Sequence, residues 1–157
     1  MVVRFQNILF PTDFSAVSVH ALPYALSLAE IFRAQLHCVY VVDDANLYWT
    51  AFGPEAVPLG PPLEEFTTQA QLRMERFTSE HLRGVQPAPR TEIRTGRPFA
   101  EIIAYAREKN IDLIVLATHG RGAIAHALLG STTEKVVRKA PCAVLTVRND
   151  DQKFMMP

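Results

Sequence analysis

The chain has 157 residues, enough for one domain with its own core, and 48% of them are hydrophobic. Its 16 basic and 16 acidic residues cancel, which argues against a broad electrostatic nucleic-acid surface and removes one barrier to self-association, yet leaves room for a small phosphate site. Cys38 and Cys142 lie in apolar runs and read as buried reduced thiols, no run approaches the ~18 apolar residues of a membrane span, and Met1-Val2-Val3-Arg4 lacks a signal-peptide pattern, so the expected compartment is the cytoplasm.

Apolar runs of strand length alternate with longer amphipathic segments, the pattern of β-α-β units and a parallel sheet covered by helices on both faces. The first strand is Asn7–Pro11. Ser15 suits the N-cap of a helix over 15–34, with Ala21, Leu22, Ala25, Leu28 and Ala29 on one face and Pro23 inside it, bending it or removing a backbone bond. The second strand is Gln35–Asp43. Residues 44–62 hold Pro54, Pro58, Pro61 and Pro62 with Gly53 and Gly60, a long loop whose Tyr48, Trp49 and Phe52 cover the core, close over a ligand or meet a partner.

A helix follows over 63–82, whose Glu64, Glu65, Arg73, Glu75 and Arg76 read as a solvated face. A short strand covers 90–94, and Pro98 opens a helix ending near Lys109. The fourth strand spans 112–116, with Asp112 at its start. A helix over 131–138 and a fifth strand over 143–148 complete a single domain over 1–149, and 150–157 read as a loose tail.

The segment with most chemistry lies between the fourth strand and the helix at Ser131: Ala117-Thr118-His119-Gly120, nine residues, then Gly130-Ser131-Thr132. A glycine hinge leaving a parallel strand, followed by a Gly-Ser-Thr step into a helix, makes a place for an anion. Backbone N–H groups and the positive end of the helix dipole converge there. Leu116 and Ala117, the strand's last residues, border it. In a parallel sheet the loops after the strands share one edge, so Pro11, Thr12 and Asp13 lie on the same side. Asp13 either bonds a ribose or a phosphate-bound metal, or caps the first helix in an Asx turn. His119 contacts phosphate or organises its turn. Arg121 pairs with phosphate or is solvated. Gly120, Gly130, Ser131 and Thr132 bind an anion or form a tight turn with a helix cap.

Two other motifs are excluded. Residues 120–125 fit G-x-G-x-x-A, but they do not follow the first strand of a β-α-β unit and no acid stands about 20 residues on. Gly130-Ser131 has no lysine, so there is no P-loop. His20, His37, His81, His119 and His126 are scattered, with no metal-ligand spacing and no G-x-S-x-G elbow. Only Asp13 and His119 are candidates for activating a water, so any ATP hydrolysis is expected to be slow.

Gly120, nine residues and Gly130-Ser131 resemble the signature G-x-x-G-x9-G-[ST] of the universal stress protein family, with Ala117 in place of the first glycine. Asn7-Ile8-Leu9-Phe10-Pro11-Thr12-Asp13-Phe14-Ser15 resembles that family's opening strand and loop. Gly96-Arg97-Pro98 is similar to its approach to the third helix, and Ala140-Pro141-Cys142-Ala143-Val144-Leu145-Thr146-Val147 to its final strand. The resemblance implies an open five-stranded parallel sheet in the order 3-2-1-4-5, adenine nucleotide alpha-hydrolase-like. It implies that Asp13 contacts the nucleotide and that the backbone of Val41 recognises adenine. It further implies a regulatory stress-response protein that binds ATP, AMP or ADP, with or without Mg2+, and forms a homodimer. The apolar edge strand Val144-Leu145-Thr146-Val147 would pair with its copy across a two-fold axis. Two alternatives stand beside this reading, a dimeric interaction module that binds no nucleotide and a slow ATP hydrolase. The protein partner is not identified by the sequence.

Overall fold

Five parallel strands alternate with helices in the computed structural model, which describes residues 2–44, 63–118 and 129–148. In chain order these are β1 (Asn7–Pro11), α1 (Ala16–Val19), α2 (Leu22–Phe32), β2 (Gln35–Asp43), α3 (Leu63–His81), β3 (Arg90–Gly96), α4 (Pro98–Glu108), β4 (Leu113–Ala117), α5 (Ser131–Lys139) and β5 (Ala143–Val147). The sheet order is β3-β2-β1-β4-β5 and every pairing is parallel. The order expected from the resemblance is therefore the observed one. Tyr48, Trp49 and Phe52, and the tail over 150–157, lie outside the described residues.

Period-two alternation sends neighbouring side chains of each strand to opposite faces, and both faces are covered, which is why β4, and β1 after Asn7, are apolar throughout. Ile8, Phe10, Leu36 and Cys38 pack with Leu22, Ala25 and Ala29 of α2 and with Met74 and Phe77 of α3. Leu9, Val39, Val41, Ile114 and Leu116 pack with Ile102, Tyr105 and Ala106 of α4 and with Val136 of α5. Helices α1, α2 and α3 thus cover one face, and α4 and α5 the other. Cys38 is fully buried, and burial pushes its thiol up to about 12. Cys142 departs from expectation in being only half-buried.

The single helix expected over 15–34 is two. Ser15 does cap α1, its Oγ accepting from the Ser18 N–H at 3.1 Å. The helix then ends at Val19, because the ring and missing N–H of Pro23 do not allow it to run through. The His20 and Ala21 amides bond back to Ala16 and Ser18, and α2 restarts with Pro23 in its first turn, where a proline costs no hydrogen bond. The acid at the start of the fourth strand also finds a role. The Asp112 carboxylate accepts from the N–H groups of Gln6 and Asn7 at 2.7 and 2.9 Å, locking the entrance of β1 beside that of β4.

Gly96-Arg97-Pro98 has a physical reason. Gly96 has φ +143°, and a Cβ there would stand 3.0 Å from Glu101 Cγ. Arg97 is extended, as the residue before a proline prefers, and Pro98 occupies the first turn of α4. Glu101 is held in turn by the Arg94 guanidinium, whose Nε lies 2.8 Å from its carboxylate while its two other nitrogens reach Glu108 at 2.8 and 3.0 Å. This fork fastens the edge strand β3 to α4. Gly96→Ala is expected to lower stability by roughly 1–3 kcal/mol through the strained torsion and the displaced Glu101, read as a lower denaturant midpoint at unchanged slope.

His37, on β2, is 1% exposed. Its Nδ1 lies 2.9 Å from the Tyr105 hydroxyl and its Nε2 3.4 Å from Asn7 Oδ1. With Nε2–H donating to the Asn7 carbonyl oxygen, Nδ1 is left to accept from Tyr105. Burial, followed by the nearby charges of Arg90 and Lys109, pulls the imidazole down to about 4. Burial pushes the Tyr105 phenol up to about 12. The unfolded chain takes up a proton at this histidine below its ordinary value near 6.5 while the folded chain resists until about 4. The stability this group contributes is therefore present above pH 6.5 and falls as the pH drops from there towards 4. Thermal melts across that window are expected to show this loss in the native chain and a flatter profile in His37→Asn.

Candidate functional site

A crevice of about 760 Å³ opens at the carboxyl edge of the sheet, where β1, β2 and β4 end. Pro11, Thr12 and Asp13 from the loop after β1, Val41 and Asp43 from β2, Leu116 and Ala117 from β4, and Gly130, Ser131 and Thr132 at the start of α5 all line it. Nine of the twelve residues singled out in the sequence are thus brought to one cavity. The other three, His119, Gly120 and Arg121, lie outside the described residues.

The loop after β1 is shaped by a local network. The Thr12 N–H reaches the Val39 carbonyl at 2.9 Å, carrying the β1–β2 ladder one residue past the strand. Thr12 Oγ1 lies 3.1 Å from Ser18 Oγ and accepts from the Phe14 N–H at 3.0 Å. Phe14 itself is left-handed, φ 60°, a conformation costing a bulky L-residue about 1–2 kcal/mol. Its ring is held 4.8 Å from Tyr40 and 5.7 Å from Phe77, centroid to centroid, which offsets that cost. The half-buried Asp13 accepts from both the N–H and the hydroxyl of Ser15, at 2.9 and 2.5 Å. The Asx-turn alternative for Asp13 is therefore real, and the residue also lines the crevice.

The other side is built from the end of β4. Ala117 is a strand residue paired with Val147, 6% exposed, and its carbonyl accepts from the buried Thr133 hydroxyl at 2.9 Å. The Gly130 N–H donates to the Thr118 carbonyl at 2.7 Å, and the Thr118 N–H to Val147 at 2.9 Å. These bonds set the first turn of α5 against the end of β4. Gly130 is the N-cap, with φ −66° and ψ 155° and no side chain to cap the helix. That conformation is open to any residue, so what glycine contributes there is an absent side chain at the mouth of the first turn. The free ends of the first N–H groups are the usual attraction of a helix N-terminus for anions.

Sequence reasoning missed Thr133, which fixes the helix start, and Pro98 and Ile102 of α4, which line the crevice floor. It also missed Phe66, Gln69, Ala70 and Arg73 of α3, which form a wall. The i, i+3, i+4, i+7 spacing of that wall is visible in the sequence, but only the fold shows which face of α3 meets a cavity. Among the described residues no group of three or more His, Cys, Asp or Glu side chains is placed to hold a metal ion. Among the same residues no helix is long and apolar enough to cross a membrane.

The family model described as the universal stress protein family matches residues 4–148. The chain belongs to the universal stress protein family. It is 33% identical over 144 residues to the universal stress protein MJ0531 of Methanocaldococcus jannaschii, covering 92% of this chain and 82% of that one. The solved structure of the universal stress protein UspA from Lactobacillus plantarum superposes with a TM-score of 0.77 at 33% identity, covering 94% of this chain and all of that one (100%). More distant structures share the fold alone. They include a universal stress protein in complex with cAMP, at 23% identity and TM-score 0.60, and an Arabidopsis thaliana member with AMP bound, at 16% and 0.60.

Ala117 stands where the family signature has its first glycine. In this chain that position is extended strand, outside the left-handed region, and the alanine methyl is accommodated in the buried end of β4. Nothing in the torsion calls for glycine. Ala117→Gly is therefore expected to cost about 0.5–1 kcal/mol of stability in thermal or denaturant unfolding, and to leave ligand affinity within twofold.

Proposed function

We propose that the crevice binds an adenine nucleotide, ATP, ADP or AMP, and that nucleotide occupancy makes this protein a homodimeric regulatory switch in the cytoplasmic stress response. The observation that carries the reading is the first turn of α5. It has no side-chain cap, it is anchored to the end of β4, and Gly130, Ser131 and Thr132 line a cavity of nucleotide size. In this reading the phosphates sit at those residues, with His119, Gly120 and Arg121 completing the signature. Asp13 and the backbone of Val41 take the ribose and the base. The cAMP and AMP complexes of distant neighbours support the ligand class. A magnesium ion, where the nucleotide carries one, would meet Asp13 as the acidic side chain of the β1 loop.

The homodimer reading is supported by β5, which pairs with β4 alone among the described strands and carries Val144, Leu145 and Val147. The test is to denature freshly purified protein and identify any released nucleotide by chromatography and mass spectrometry, beside Gly130→Val. The φ and ψ of Gly130 suit valine, so the variant is expected to fold while its side chain crowds the first turn of α5. Stoichiometric adenine nucleotide in the native protein, lost in the variant, is the expected outcome. An empty native protein with no thermal shift on adding Mg-ATP would leave the non-binding interaction module as the better reading.

A further inference from the structure

Helix α3 faces the crevice with a stripe that its core packing does not use. Ala70, Met74 and Phe77 are buried against the sheet. Phe66, Gln69 and Arg73, offset from them around the helix, line the cavity and stay largely exposed, Phe66 at 39%. An exposed phenylalanine at the mouth of a cavity is not explained by the core. Arg73 has no acidic partner along its own helix. Its neighbours at three and four residues' distance are Ala70, Gln69, Arg76 and Phe77, none of them acidic, so the helix offers it no partner of the kind Arg138 has in Glu134. Among the described residues Arg73 makes no ion pair, and it is the only cation lining the crevice.

The position of this wall fixes which end of a nucleotide it meets. The first turn of α5 is anchored to β4, on one face of the sheet, whereas α3 packs over β2 on the other. Strand β1 lies between β4 and β2, so the two walls are two strand spacings apart, about 10 Å. Phosphates at the start of α5 place the base near the end of β2, beside α3. An aromatic ring and a guanidinium both present flat faces on which a purine stacks.

We propose that Phe66, Gln69 and Arg73 form the base-side wall of the site, with the Phe66 ring and the Arg73 guanidinium stacking on the purine and making the crevice selective for purine over pyrimidine nucleotides. The proposal rests on the nucleotide reading above. Its test is calorimetric titration of the native chain, Phe66→Ala and Arg73→Ala with ATP, and with CTP by competition, the two ligands sharing a triphosphate and differing in the size of the stacked ring. Both side chains are exposed, so both variants are expected to melt with the native protein. Each variant is expected to weaken ATP about five- to tenfold and CTP about twofold or less, narrowing the preference for the purine. Equal weakening of ATP and CTP by Arg73→Ala would overturn the proposal, because the guanidinium would then be reading phosphate. Unchanged ATP affinity in both variants would also overturn it while leaving the nucleotide reading intact. Failure of the native chain to bind ATP would overturn both.

Discussion

The site depends on how α5 is joined to β4. A helix N-terminus attracts an anion only if its first N–H groups are held in place before the ligand arrives, because ordering them on binding would consume the interaction energy. Two hydrogen bonds supply that order here. The Thr133 hydroxyl donates to the carbonyl of Ala117, and the Gly130 amide donates to the carbonyl of Thr118. Both acceptors lie at the carboxyl end of β4, Ala117 as its last residue and Thr118 just beyond, where the strand is still paired with β5 although its ladder to β1 has ended. The helix start therefore inherits the rigidity of the sheet. The threonine also satisfies a carbonyl that would otherwise be buried without a partner beyond the last ladder position, a deficit worth about 1–3 kcal/mol.

The opposite side of the crevice is fixed by different means. The loop after β1 cannot continue the sheet, since α1 must turn away towards the face covered by α2 and α3. It is held by side chains: Thr12 to Ser18 and to the Phe14 amide, Asp13 to Ser15, and the Phe14 ring wedged between Tyr40 and Phe77. The left-handed Phe14 is the visible cost of making the chain reverse within so few residues while Asp13 still faces the cavity. Backbone hydrogen bonds at the start of α5 and a side-chain network in the loop after β1 make the two halves of the crevice unequal.

Much of this was legible in the chain. Strand positions followed from apolar runs bounded by turn residues, and β1 and β2 matched to the residue. Helix starts followed from Ser15, Pro98 and Ser131, whose local chemistry acts within one turn. What was not legible depended on contacts between distant elements. Pro23 read as a bend or one missing backbone bond inside a single helix over 15–34, whereas α1 ends at Val19 and α2 starts afresh with the proline in its first turn. Asp112 read only as an acidic start to a strand, until the fold put the amides of Gln6 and Asn7 beside it. Ala117 read as a departure from a glycine signature, and its meaning turned on a torsion that no sequence states. Arg73 looked like one charge among several on a solvated helix, because an amphipathic pattern tells which side of a helix is apolar and not what the polar side faces.

The two edges of the sheet complete the argument about assembly. An edge strand exposes unpaired backbone groups and invites pairing unless something discourages it. β3 carries Arg90, Glu92 and Arg94 within its span, and its Arg94 is tied by a fork of hydrogen bonds to Glu101 and Glu108 of α4. A second chain approaching that edge would have to desolvate charges that already have partners. β5, Ala-Val-Leu-Thr-Val, carries no charge at all. Among the described residues the sheet thus has one edge guarded by charges and one, β5, with no further strand beside it, and the latter is joined through α5 to the residues at Gly130 that line the crevice. A partner seated on β5 would press on α5, whose first residues line the crevice; under the nucleotide reading proposed above, ligand binding and self-association would then share one mechanical element.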